Sequence, residues 1–286
     1  VARLNPDGSL DATFNPGADS VVTAFALQTD GHILAGGYFS RLGGVARSCA
    51  ARLNPDGSID PTFDPGLGHQ PHPIPGMAFL DIPTVMTIAV QPDGKVLIGG
   101  YFDSVAGQPR KNLARLDSTL PATHSLAYDG WTVTWLRGGS SPEISSSSFQ
   151  ASTNGLDWLA LGAGERIPGG WRCAGATLPA NAMIRASGLV AGGQAGGSSW
   201  FVRDTLTVDP LTPPVILADD GALGAVSNRF GFNVAALAGQ GVVVEGSWDL
   251  RNWTALATNV VRGGLLYFSD PGSPGLPWRF YRARLE

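Results

Sequence analysis

Lysine and glutamate are almost missing from this chain. Among 286 residues there are two lysines, Lys95 and Lys111, and four glutamates, Glu143, Glu165, Glu245 and Glu286. Helix-forming composition is therefore lacking, which argues against a helical protein. Cysteine is scarce as well: Cys49 and Cys173 are the only two. They read as two buried free thiols. A bridge between them would need their Cα atoms close together, and the count leaves the redox compartment open. No apolar run approaches the ~20 residues a membrane helix requires, so no span is expected. The formal net charge is −4 and the arginines are scattered. With no basic stripe to neutralise phosphates, nucleic acid is excluded as the expected partner.

Glycine and proline are plentiful, at 39 and 21. They interrupt helices and supply turns, which favours short strands joined by tight loops. The 43% hydrophobic content suffices for packed cores and argues against disorder. The strongest signal is internal repetition. Arg3-Leu4-Asn5-Pro6-Asp7-Gly8-Ser9 returns unchanged as Arg52-Leu53-Asn54-Pro55-Asp56-Gly57-Ser58. Asp30-Gly31-His32-Ile33-Leu34-Ala35-Gly36-Gly37-Tyr38-Phe39 likewise matches Asp93-Gly94-Lys95-Val96-Leu97-Ile98-Gly99-Gly100-Tyr101-Phe102. A repeat of about 50 residues marks a stacked architecture, because one unit cannot bury its apolar face alone.

Each unit reads as about four short strands. Val21 to Leu27 and Ile33 to Ala35 flank an Asp30-Gly31 reversal, where glycine takes a positive φ without steric penalty. The nearly continuous apolar runs suit strands covered on both faces. The glycine pairs 36–37 and 99–100 predict a bulge or a close backbone approach. An insertion from Gly66 to Pro83 reads as a long surface loop. Beyond Leu116 a different pattern begins. Trp131, Val133 and Trp135 alternate with threonines, a period-two strand. Ser145 to Ser148 reads as a loop. Asp209-Pro210-Leu211-Thr212-Pro213-Pro214 reads as a stiff linker. Ser152 to Leu161 parallels Ser247 to Leu256, and in each a tryptophan, Trp158 or Trp253, is expected to plug a core at a strand end.

The expected fold is thus all-β: partial β-propeller-type repeats followed by two small antiparallel β-sandwich modules. The boundaries are 1–120 for two blade-like units, 121–208 for the first sandwich, 209–214 for the linker and 215–286 for the second sandwich. Val1 to Leu4 already sits late in a repeat and no initiator methionine is present, so a fragment with its N-terminal part removed is expected.

The Arg-Leu-Asn-Pro-Asp-Gly-Ser, Asp-Gly-x-Ile/Val-Leu and Gly-Gly-Tyr-Phe phrases resemble the delta-60 repeats of bacterial surface and secreted proteins, over about residues 1–117. Thr132 to Gly139 and Arg279 to Ala283 resemble, more loosely, immunoglobulin-like modules attached to such repeats. The resemblance implies propeller blades and an extracellular or cell-surface location. It transfers no catalytic residue. A closed propeller needs about 4–8 blades, and two or so are present.

Each candidate site competes with a turn or core role. Asn5, Asp7, Ser9 and Asp11, and again Asn54, Asp56, Ser58 and Asp60, place oxygens at alternate positions, as in the start of a calcium loop. The glycine and the closing bidentate acid of an EF-hand are absent, and the same residues are what a tight turn demands, so the turn is favoured over metal. His69-Gln70-Pro71-His72 offers two imidazoles, but a zinc site wants about four ligands and only Asp64 and Asp81 stand nearby, so a solvated loop is favoured. Asp219-Asp220-Gly221 reads as a turn rather than an acid pair. In the sequence Glu143, Glu165 and Glu245 look isolated, and neither His32 nor His124 has a recognisable partner nearby along the chain. Neither a nucleophile elbow nor a phosphate loop is present. Of the eight tryptophans, most fall at core positions, and Trp248, in a polar turn beside Asp249, is the ligand-binding candidate. These readings favour a non-enzymatic scaffold, adhesion or binding module without cofactor, its partner a polysaccharide or a surface protein. The alternative is the carbohydrate-binding accessory region of a larger secreted enzyme.

Overall fold

The computed structural model describes residues 1–69, 83–190, 200–274 and 278–286. Among these the chain is all-β, built of many small antiparallel sheets. It divides into two compact units. The first comprises Val1–His124, Leu136–Ser146 and Gly188–Val202, the second Ser125–Trp135, Ser147–Ser187 and Arg203–Glu286.

The repeats lie in the first unit. Strands β1 (Val22–Leu27), β2 (Ile33–Gly37) and β5 (Ala50–Leu53) form a sheet in the order β1-β2-β5, with the small hairpin β3 (Arg41–Leu42) and β4 (Val45–Ala46) between. Beyond β6 (Leu67–Gly68), strands β7 (Thr84–Val90), β8 (Val96–Tyr101) and β11 (Leu113–Leu116) repeat that order as β7-β8-β11. Strands β9 (Ser104–Val105) and β10 (Gln108–Pro109) supply the second small hairpin. The registers coincide. Leu27 faces Ile33 as Val90 faces Val96, and Ile33 faces Leu53 as Val96 faces Leu116. The duplicated phrases are therefore copies of one sheet. Each main sheet has three strands rather than the four expected. In the first sheet the fourth shrinks to a single bridge, Leu53↔Ile59, because the Asn-Pro-Asp-Gly turn brings the chain back for only one residue pair, as it does at Leu4↔Leu10 in the earlier copy.

The two sheets share an interior. Ala26, Leu34 and Ala50 of the first pack with Val85, Val90, Val96 and Ile98 of the second. The opposite face of the first sheet is covered as well, with Ala35, Ala51 and Leu53 packed with Phe14, Phe39 and Leu42. This double coverage is why its strands carry no polar alternation. The glycine pairs serve both predicted purposes. A Cβ on Gly36 would fall 2.5 Å from Cγ1 of Val85, so the sheets approach closely only because no side chain is there. Gly37 and Gly100 oppose bulges at Thr23 and Met86, and a side chain on either would run into the carbonyl of Val21 or Thr84.

Two further sheets follow. Strands β12 (Ala122–Tyr128), β13 (Val133–Gly139), β16 (Glu165–Ile167) and β17 (Gly170–Cys173) order as β12-β13-β17-β16. Strands β14 (Ile144–Ser152), β15 (Leu159–Ala163), β18 (Met183–Val190) and β19 (Phe201–Thr207) order as β15-β14-β18-β19. The serine run, expected as a loop, lies inside β14. Ser147 is buried and Ser145 and Ser146 are exposed, so serines occupy both faces of a true strand. The remainder of the insertion after Gly68 falls largely outside the described residues, although Leu67–Gly68 is itself a strand paired with β9.

At the C-terminal end β20 (Val215–Ile216), β21 (Gly224–Val226), β22 (Arg229–Ala235) and β25 (Leu265–Ser269) form one sheet, and β23 (Gly241–Ser247), β24 (Thr254–Val260) and β26 (Phe280–Leu285) another. Phe232, Val234 and Phe268 from the first meet Val242, Val244 and Tyr281 from the second in a common core. The segment read as a linker is tied down: Asp209 to Thr212 forms a turn whose Pro210 and Thr212 carbonyls accept from Nε2 of Gln240. Edge strands β15 and β24 each carry one extra residue opposite their neighbour, Leu161 and Leu256.

Candidate functional site

The repeated Asn-Pro-Asp-Gly turns are built identically. In the first, the Asn5 amide nitrogen donates to the Ser9 carbonyl at 2.8 Å and Gly8 donates to Asn5 at 2.9 Å. In the second, Asn54 and Gly57 repeat these bonds at 2.8 and 2.9 Å. The glycines hold φ of +85° and +90°, the left-handed region. Each calcium candidate makes hydrogen bonds within its own copy. Asp7 Oδ1 accepts from the Ser9 amide and hydroxyl, Asp56 Oδ1 from those of Ser58. The side-chain amides of Asn5 and Asn54 donate to the Ser9 and Ser58 hydroxyls. Asp11 and Asp60 each receive an amide and a hydroxyl, from Thr13 and Thr62, on one oxygen and an arginine Nε on the other. The Ser9 and Ser58 hydroxyls lower the Asp7 and Asp56 carboxyls. The Thr13 hydroxyl and Arg3 pull Asp11 down to about 2. Among the described residues no group of three or more His, Cys, Asp or Glu stands close enough to hold a metal ion.

The two arginines share geometry but not surroundings. Arg3 pairs with Asp11 and lies over the Phe14 ring at 4.5 Å, with 40% of its side chain exposed. Arg52 pairs with Asp60 at 2.6 Å and lies over Phe63 at 5.3 Å, with 0% exposed. Each also reaches beyond its own turn: Arg3 Nη1 donates to the Pro55 carbonyl of the next copy, and Arg52 Nη2 to the Thr119 hydroxyl just past β11. Burial raises the Asp60 carboxyl, but the Thr62 donors and Arg52 outweigh it, and the net shift is downward.

The second duplicated phrase forms a clip. Ser152 Oγ accepts from the Gly155 amide, and Asn154 Oδ1 from the amides of Leu156 and Asp157. Ser247 and Asp249 take the same parts toward Leu250, Arg251 and Asn252. Trp158 Nε1 then donates to the Gly155 carbonyl and Trp253 Nε1 to that of Leu250. An arginine covers each ring, Arg185 at 3.9 Å from the Trp158 centroid and Arg282 at 4.4 Å from Trp253. Each arginine is held by an acceptor on the neighbouring strand, Gln150 or Glu245. Both rings are half-buried, not core plugs as expected. The turn ends one residue before the strand begins, so the indole lies along the outer face. Trp135 is the fully buried ring, with Trp171 nearly so.

Trp248 stands in the second clip, 46% exposed, with the Arg279 guanidinium 5.1 Å from its ring. Leu250, beside it, is exposed and holds φ +62° where the first clip has Gly155.

The remaining candidates fall into structural roles. His32 pairs with Asp30 at 2.9 Å, a partner two residues away that the sequence reading overlooked. The His69 side chain is not solvated: it is 2% exposed, lies 2.9 Å from Asp103 and packs against Tyr101. His72 and Asp81 lie outside the described residues. Glu165 and Glu245 are not isolated, since Arg172 binds the first and Arg282 with Arg284 the second. Asp220 caps the Ala222 amide, as its turn reading requires. Cys49 and Cys173 are buried free thiols; burial pushes Cys49 up to about 11 and Cys173 upward. The arginine partners could have been sought in the sequence, because Arg lies eight residues before Asp in both repeats.

Three stretches, residues 1–14, 28–63 and 91–119, match the family model described as a beta-propeller domain of unknown function, DUF5122. A search of curated proteins finds no match. Among solved structures, the tetra-tandem repeat in the extending region of a large adhesion protein is similar at 11% identity and a TM-score of 0.22, over 96% of this chain and 68% of that one. Salmonella alpha-2-macroglobulin reacted with methylamine is similar at 10% identity and a TM-score of 0.21, over 99% of this chain and 23% of that one. No helix among the described residues is long and apolar enough to cross a membrane. The matched stretches contain the two duplicated phrases, and this part of the chain is a repeat of β-propeller type.

Proposed function

We propose that the chain is a non-enzymatic extracellular scaffold or adhesion module, its repeats of the delta-60 kind and its later sheets immunoglobulin-like modules. One observation carries this reading. The polar side chains of the duplicated turns bond within the fold: in both turns the aspartates bind their own serines, threonines and arginines. Residues repeated for that purpose build a frame, and recognition falls to the loops the frame displays. Glycan-array and polysaccharide pull-down measurements on the chain test it, together with hydrolase assays on any ligand retained. Retention without turnover is the expected result; turnover of a captured glycan would overturn the non-enzymatic reading.

A second reading, a carbohydrate-binding accessory region, is favoured by two exposed rings, Trp248, which lies beside Arg279, and Trp278. The half-burial of Trp158 and Trp253 under arginines weighs against a wider platform. Trp248→Ala abolishing glycan retention, with the melting temperature unchanged, would select this reading.

A further inference from the structure

The two tryptophan clips place the same arginine over the ring and differ in what holds it. In the second, the buried Glu245 carboxylate accepts from Arg282 Nε at 2.6 Å and from Arg284 Nε at 3.0 Å. In the first, a neutral group does the work. Arg185 Nε and Nη2 both donate to the single Oε1 of Gln150, at 3.0 and 2.7 Å. With the Trp158 ring beneath, the plane of this guanidinium is fixed, and no described carboxylate pairs with it. A second arginine shares the face. Strand β18 buries Ile184 and Ala186, so Arg185 and Ser187 point outward together. Arg203, exposed on the adjacent β19, donates its Nε to Ser187 Oγ at 3.3 Å and likewise has no carboxylate partner among the described residues. Strand geometry sets the two arginines about 7 Å apart. The neighbouring acids are engaged elsewhere: Asp204 accepts from Trp135 Nε1 and Asp157 from Asn154 Nδ2. Two cations thus stand among glutamine, serine and threonine side chains, in a chain whose net charge is −4.

We propose that this outer face of β14, β18 and β19 binds a polyuronate, a polysaccharide with a carboxylate on each sugar. Arg185 Nη1 makes no bond to the described residues, so the end of the guanidinium away from Gln150 is open to a ligand. A carboxylate suits it, because two coplanar oxygens match the guanidinium fork. A carboxylate further along the same polymer reaches Arg203, and sugar hydroxyls meet Ser187 and Thr205. Trp158 and Gln150 hold Arg185 in place beforehand, which lowers the ordering that binding requires. The C-terminal sheet lacks this property because Glu245 already supplies its arginines with a carboxylate. The site is separate from Trp248, so its failure would leave the reading built on that ring standing.

The test is calorimetric titration of the chain with polygalacturonate and, separately, with its methyl ester, which keeps the sugar and removes the charge. The acid form is expected to bind and the ester not. Arg185→Gln should weaken binding about tenfold or more, the loss of a charged hydrogen bond. Gln150→Glu should weaken it comparably, by giving Arg185 the internal carboxylate that Arg282 has, and the second clip shows that such a pair fits the fold. Its melting temperature should therefore not fall, which separates lost binding from lost structure. Arg282→Gln and Trp248→Ala should leave binding unchanged. Equal binding of acid and ester, full binding by Gln150→Glu, or an equal loss in Arg282→Gln would overturn the proposal. So would tighter, Arg185-dependent binding of dextran sulfate or single-stranded DNA, because the site would then select another anion.

Discussion

Duplication serves two different ends in this molecule. In the repeats the copies lean on each other: Arg3 reaches Pro55, Phe14 covers Gly57, and Gly36 lets Val85 approach. In the clips each copy closes on its own sheet, with tryptophan, arginine and acceptor gathered from adjacent strands. The first kind of repetition makes the energy of one position depend on its neighbour. The second makes it local. Identical residues should therefore respond unequally in the repeats and similarly in the clips.

The largest effect should separate the two arginines. Arg52→Met strands the Asp60 carboxylate in a buried place and should lower unfolding free energy by about 3–5 kcal/mol, whereas Arg3→Met at the exposed copy should remove less than about 1 kcal/mol. Urea titration of the two variants would break the comparison if their losses were equal. Next come the turn glycines. Gly8→Ala and Gly57→Ala both force a side chain into the left-handed region, at about 1 kcal/mol each. Only Gly57→Ala also presses on Phe14, adding about 1–2 kcal/mol. Gly31→Val, at φ +86° with Pro55 3.1 Å from its new Cβ, belongs with the costlier one and should lose about 1 kcal/mol or more.

The clips should give smaller numbers. Trp158→Ala is expected to cost about 1–2 kcal/mol, below the 3–5 of a core ring, roughly half of it shared with Arg185 in a double-mutant cycle. A loss as large as a core ring's would show that the clip is no surface device. Leu250→Gly should raise stability by about 0.5–1 kcal/mol, as relief of the left-handed strain outweighs the extra chain entropy of glycine. Thermal melting reads this directly, and a lower midpoint would mean that the leucine is held there by contacts worth more than its strain. Acid supplies the gentlest probe. Asp11 has a folded-state pKa of about 2, below the ordinary aspartate value, so its contribution is present above about pH 4 and is lost as pH falls toward 2; Asp60 is shifted in the same direction. Asp11→Asn should flatten the acid limb of a circular-dichroism titration. An unchanged limb would mean that Asp11 is equally bonded in the unfolded chain.

The sheet copies and their reversals were legible in the sequence because an Asp-Gly step and an apolar run have few other uses. The Gly36-Gly37 pair announced both a bulge and a close approach, and both occur. Less was legible where one residue type fits two environments. Serines occupy the buried and the exposed side of β14, so the run at Ser145 to Ser148 showed no period and read as a loop. Trp158 and Trp253 sit at strand starts with apolar neighbours, which suggested a core. Their position under Arg185 and Arg282 depends on strands that lie 27 and 29 residues further along (185 − 158 and 282 − 253). The contrast between Arg3 and Arg52 could not be read at all, since their local sequences are the same and the difference lies in what packs over them.

The extra residues Leu161 and Leu256 have a consequence for how such modules coexist. They sit in β15 and β24, outermost strands of five and seven residues with no charged side chain and no proline to deter other chains. An inserted residue breaks the even spacing of the outward amides and carbonyls, and an approaching strand cannot zip along it. The same kink at both places lets two uncharged borders lie in one polypeptide without templating fibres, and removing either leucine by deletion would turn a quiet margin into a sticky one.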